Sequence, residues 1–131
     1  MGKDDIDQSQ KMTILEGIPG FDQKTFVTLV AETSVEVANS ILHEFMNTLR
    51  DSLFQLNKLT LSRPEDIELI GKVCHRVKGS SQLVGFLGLS VSSEKLRMSL
   101  KIPENSPEWI GLLEQFRKDC ALTEHELMRI F

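Results

Sequence analysis

The chain has 131 residues, of which 40% are hydrophobic and 26% charged, and a formal net charge of −4. That length suits one domain around a single apolar core and is too short for two ordinary ones. The acidic balance gives no electrostatic reason to bind nucleic acid or an anionic membrane, and no apolar run approaches the ~20 residues that span a bilayer.

Residues 1–20 open with MGKDDIDQSQ, which has no apolar signal core, and are expected to form a polar N-terminal tail or partly ordered segment. Residues 21–131 are expected to form a helical bundle, the whole chain being one domain. Tyrosine is absent, glycine and proline are sparse, and apolar residues recur at three- and four-residue steps.

A first, short helix should start at Asp22, a good N-cap, and carry Phe26, Val27, Leu29 and Val30. After a break at Thr33-Ser34, a long second helix should reach about Asn57. Its apolar positions are Val37, Ala38, Ile41, Leu42, Phe45, Met46, Leu49, Leu53 and Leu56. That stripe is too wide for one neighbour. Its exposed share, represented by Leu42 and Met46, is expected to dock a partner.

Ser62 and Glu65 have capping-box spacing, with Pro64 in the first turn, so a third helix should run from there to about Val84. Gly85 and Gly88 bracket its end. A fourth helix is expected from about Leu89 to Leu100. Ser106-Pro107 starts the last one, in which Trp109, Leu113, Phe116, Cys120, Thr123, Leu127 and Ile130 form a bundle seam. Short connections make consecutive long helices antiparallel neighbours. The expected fold is therefore all-α: an antiparallel up-down four-helix bundle with a short additional N-terminal helix.

The third helix holds the most informative stretch, His75-Arg-Val-Lys78-Gly79-Ser80-Ser81-Gln82-Leu-Val-Gly85. Its core stripe is Ile67, Ile70, Cys74, Val77, Ser81 and Val84. At roughly 100° per residue, His75 lies roughly 130° from the centre of that stripe and should face solvent. Gly71 and Gly79 stand one turn to either side. A glycine costs about 1 kcal/mol relative to alanine in a helix interior, so two of them bracketing one histidine call for a reason. Clearance for the backbone of another protein would be one.

Between His75 and Gly85 the sequence resembles the active-site helix of histidine-containing phosphotransfer domains, the shuttle modules of multistep two-component signalling. The resemblance implies that His75 accepts and donates a phosphoryl group, that Lys78 is its charge partner, and that Gly79 gives access. Receiver domains of a hybrid sensor kinase and of a response regulator are the implied partners. Mg²⁺ is expected on the receiver, with no cofactor on this chain. Such a protein is a phosphocarrier without ATP-dependent kinase activity, and a monomer. Ser81, Gln82 and Arg97 are candidate supporting residues; Arg97 stands where some members carry a polar residue bonded to the histidine. The alternative is a non-catalytic module of the same kind that docks and sequesters a receiver.

Other chemistries are poorly served. His43 and His125 have no ligand-like spacing, and no Cys/His pair follows Cys74-His75 at metal-site spacing, so no metal site is expected. Ser80 and Ser81 lack an orienting acid, and there is no glycine-rich phosphate loop. Cys74 and Cys120 sit in apolar patterns and read as buried free thiols of a cytoplasmic protein.

Overall fold

The structure, a computed structural model, describes residues 7–59, 64–101 and 106–131. It is all-helical: α1 (Gln8–Glu16), α2 (Gln23–Glu32), α3 (Val35–Leu56), α4 (Pro64–Val84), α5 (Leu87–Ser99) and α6 (Ser106–Leu127). Helices α3 to α6 touch in a closed cycle, α3 on α4, α4 on α5, α5 on α6 and α6 on α3, with α2 against α3 and α4, and α1 against α6. The described residues contain no strand, only an isolated antiparallel bridge between Phe21 and Phe86.

Local chemistry explains most boundaries. Asp22 caps α2 by accepting from the Thr25 amide at 3.2 Å, and Ser34 caps α3 by accepting from the Val37 amide at 3.0 Å. Ser62 lies outside the described residues. Glu65 and Asp66 nonetheless put negative charge in the first turn of α4, where the helix dipole favours it. Helix α4 ends where Gly85 turns to φ +97° and the amides of Gly85 and Phe86 both donate to the Ser81 carbonyl, at 3.0 and 2.9 Å. This is a Schellman-type stop. It spends so few residues that α5 begins at Leu87, two positions before the sequence suggests.

The N-terminal segment departs from expectation. Residues 8–16 form a helix within the segment expected to be a polar tail or partly ordered, so two short helices, not one, precede the long ones. Asp7 and Gln10 make a reciprocal capping box, with bonds of 2.8 and 3.0 Å. Leu15 and Ile18 are buried in the core, and Met12 and Ile14 pack against it.

One apolar cluster holds the helices together. Phe45, Phe86 and Phe116 are its largest fully buried side chains, and Phe45 stacks on Phe86 with ring centroids 5.2 Å apart. Truncating a buried phenylalanine of this kind costs about 3–5 kcal/mol. Every residue of the expected α6 seam, from Trp109 to Ile130, is buried. Ile67, assigned above to the core stripe of α4, is instead exposed, and Val73 is buried.

The wide stripe of α3 has a different use from the one expected. Leu42 is fully buried and Met46 is 4% exposed, so neither can dock a partner. The reason is that α3 meets three neighbours, α2, α4 and α6, and the stripe's width is consumed inside the fold. The apolar side chains that remain accessible on α3 are half-buried Ile41 and Leu53 and exposed Val35, Val37 and Phe54.

The end of the bundle that carries the α4–α5 turn is closed by main-chain hydrogen bonds beside the packed rings of Phe21 and Phe86, 5.1 Å apart. The Asp22 amide donates to the Gly85 carbonyl at 2.7 Å and the Gly88 amide to the Gly20 carbonyl at 3.2 Å. A Cβ on Gly20 would sit 2.9 Å from the Gly88 Cα, so the two turns approach too closely for a side chain on either.

Candidate functional site

His75 lies in the middle of α4, between inward-facing Cys74 and exposed Arg76, and is itself exposed. The 3.6-residue period explains this: Ile70, Val73, Cys74, Val77, Ser81 and Val84 turn inward, leaving His75, Gly79 and Gln82 on the wetted side. A Cβ built on Gly71 or Gly79 meets no atom within 4 Å. Packing therefore does not demand glycine at either position. Their effect is to leave the space along α4 on both sides of the imidazole free.

On one side His75 borders an open depression of about 490 Å³ between α4 and α5, with Ile67, Gly71, Arg97 and Leu100 among its walls. Three further charged residues, Glu68, Lys72 and Lys101, line it. Glu68 and Lys72 pair at 3.4 Å, both highly exposed. Arg76, the next residue along α4, reaches back to α3, donating to Gln55 Oε1 at 3.0 Å and to Ser52 Oγ at 3.4 Å. This fixes α4 against α3 beside the histidine.

The cations expected to serve the site are already engaged. Lys78 Nζ donates to Glu94 Oε2 at 2.8 Å, and Arg97 Nη2 donates to Glu94 Oε1 at 2.7 Å. Arg97 Nε adds a longer bond to Oε2 at 3.3 Å. The hydrogen bonds from Arg97 and Lys78 hold the Glu94 carboxyl down to about 2. Lys78 thus points to α5 and does not line the depression; Arg97 is the one of the two cations that shares a wall with His75. Glu94 is the residue that sequence reasoning missed. Its only signal was the Glu94-x-x-Arg97 spacing, which on a helix brings the two side chains together.

Other candidates fall elsewhere. Ser81 is fully buried and its hydroxyl donates to the Lys78 carbonyl at 3.0 Å, so it braces the helix from inside and cannot support an exposed group on His75. Gln82 is exposed but lines a separate depression with Asp22, Thr25 and Thr28 on the α2 side. Ser80 and Leu83 border a third, smaller and apolar one of about 260 Å³ with Ile41 and Phe45 of α3. His43 and His125 are exposed, the former with its ring 4.9 Å from that of Phe131.

Cys74 and Cys120 are free and buried. Burial pushes the Cys74 thiol up to about 12 and raises that of Cys120 as well, so neither is a ready nucleophile. Among the described residues no group of three or more His, Cys, Asp or Glu could hold a metal ion, and no helix is long and apolar enough to cross a membrane. The chemistry this arrangement offers is that of an accessible imidazole beside an open depression of mixed charge, lined by Glu68, Lys72, Arg97 and Lys101. No protein-family model, curated protein or solved structure matches the chain.

Proposed function

We propose that this chain is a histidine phosphotransfer domain, a phosphorelay intermediate that carries a phosphoryl group on His75 between receiver-domain aspartates. The observation that carries the reading is an exposed histidine at mid-helix flanked, one turn away on each side, by glycines whose missing side chains would meet nothing. In-line transfer needs open access along the attack direction, and that geometry supplies it. Imidazole is nucleophilic when neutral, and the ring nitrogen would take the phosphoryl group directly.

In this reading α3 to α6 are the antiparallel up-down bundle and α4 presents the histidine. The upstream partner is the receiver of a hybrid sensor kinase and the downstream one a response regulator, both cytoplasmic. The receiver brings Mg²⁺ and most of the charge stabilisation; this chain supplies the nucleophile and no ATP chemistry. With Leu42 and Met46 buried, docking falls to the exposed surface of α4 and to the shallow apolar groove shared by Ile41 and Leu83.

The test is transfer. The chain is incubated with phosphorylated receivers and assayed for acid-labile, base-stable phosphate. Label on His75, lost in His75→Gln, is the expected result. Receiver binding without label, unaffected by His75→Gln, would instead identify a sequestering module.

A further inference from the structure

The Glu94 carboxylate is shared by two cations from two helices: Lys78 on α4, one turn beyond His75, and Arg97 on α5, beside His75 in the wall of the depression. All three side chains are about one-third exposed, so they sit at the rim of the bundle within reach of solvent. We propose that Glu94 is a positioning residue that competes with a phosphoryl group on His75 for Lys78 and Arg97, and so sets how long that phosphoryl group survives. The inference rests on the function proposed above and extends it to regulation of the same site.

The argument is one of charge and reach. A phosphoryl group carries close to two negative charges near neutral pH, against one on Glu94. Arg97 is held in a fork by both carboxylate oxygens, whereas Lys78 makes a single bond on a flexible stem. Lys78 is therefore the cation free to change partner. Exposed ion pairs are individually weak, so the exchange is close to balanced, and the charge on Glu94 tips it.

The chemistry of loss gives the direction. In hydrolysis a water oxygen bonds to phosphorus as the P–N bond breaks. The bonding pair returns to the ring nitrogen, the ring takes up a proton, and inorganic phosphate leaves. Cations over the phosphoryl oxygens hold the group and disfavour protonation of the ring. Glu94 opposes both effects, keeping the carried group labile, as a relay requires.

The experiment uses the full chain phosphorylated by phosphoramidate, a small chemical donor to histidine, with the phosphohistidine signal followed by phosphorus NMR. Glu94→Gln should lengthen its half-life by about three- to tenfold, the size expected when one exposed ion pair is redistributed. Lys78→Met should shorten it. An unchanged or shorter half-life in Glu94→Gln, or an unchanged one in Lys78→Met, overturns the role of Glu94 and leaves phosphotransfer standing. Absence of label at His75 in the native chain removes both.

Discussion

Replacing Gly79 with alanine should raise stability and impair phosphotransfer together. Gly79 and Gly71 lie inside α4, neither has a positive φ, and a Cβ at either position meets no atom within 4 Å. Alanine therefore fits without strain, and the helix gains about 1 kcal/mol per site, partly by restricting the unfolded chain. The two positions are about 12 Å apart along the helix axis, far enough for their effects to add to about 2 kcal/mol. At this chain length that is a rise of roughly 6–10 °C in melting temperature for the double variant.

If the glycines exist for clearance, the same substitutions obstruct the approach to His75. Gly79→Ala, and more strongly Gly79→Leu, should slow transfer from a phosphorylated receiver on the order of tenfold to a hundredfold. Gly111 provides the control, because it also stands in open space, on α6, and Gly111→Ala should stabilise without touching transfer. Thermal unfolding and a transfer time course on the double variant, Gly79→Ala, Gly79→Leu and Gly111→Ala decide the matter. A stabilised Gly79 variant with native transfer rates would refute the clearance argument; a destabilised one would refute the packing argument beneath it.

Gly85→Ala should act in the opposite sense. Its φ is +97° and a Cβ would lie 2.7 Å from the Asp22 carbonyl, so a loss of about 2 kcal/mol or more is expected in denaturant unfolding. The thiols of Cys74 and Cys120 should resist a thiol reagent at pH 8 in the native chain and react fully in denaturant; rapid native labelling would contradict their burial. Stability should also depend on pH through Glu94. Its carboxyl is depressed from 4.5 to about 2 on folding, so the stabilisation is complete above about 4.5 and disappears as pH falls through about 2. The stability gap between the native chain and Glu94→Gln should close over that window, and a gap independent of pH would count against the ion-pair cluster.

The helices were legible where their pattern is self-contained. Helix α6 declares itself by a seam that is buried along its whole length, and α4 by an apolar stripe with its polar and glycine positions on the other side. Helix α1 escaped notice because Met12, Leu15 and Ile18 are embedded among polar residues; the Asp7–Gln10 capping box was the readable clue. The α3 sequence shows a wide stripe but not its use, because one helix's sequence does not say how many neighbours surround it. The exposure of His75 followed from periodicity alone. The engagement of Lys78 did not, because its partner Glu94 stands on another helix, and pairing across helices leaves no local signature.

The main-chain seam between the Gly20 and Gly88 turns bears on how the molecule opens. Its hydrogen bonds join peptide groups distant in sequence, and no side-chain deletion can remove them. The segment carrying α2 should consequently lift away from the α4–α5 corner as a unit. Hydrogen exchange at the Asp22 and Gly88 amides would then share a single opening free energy and report detachment of that arm while the remaining helices stay protected.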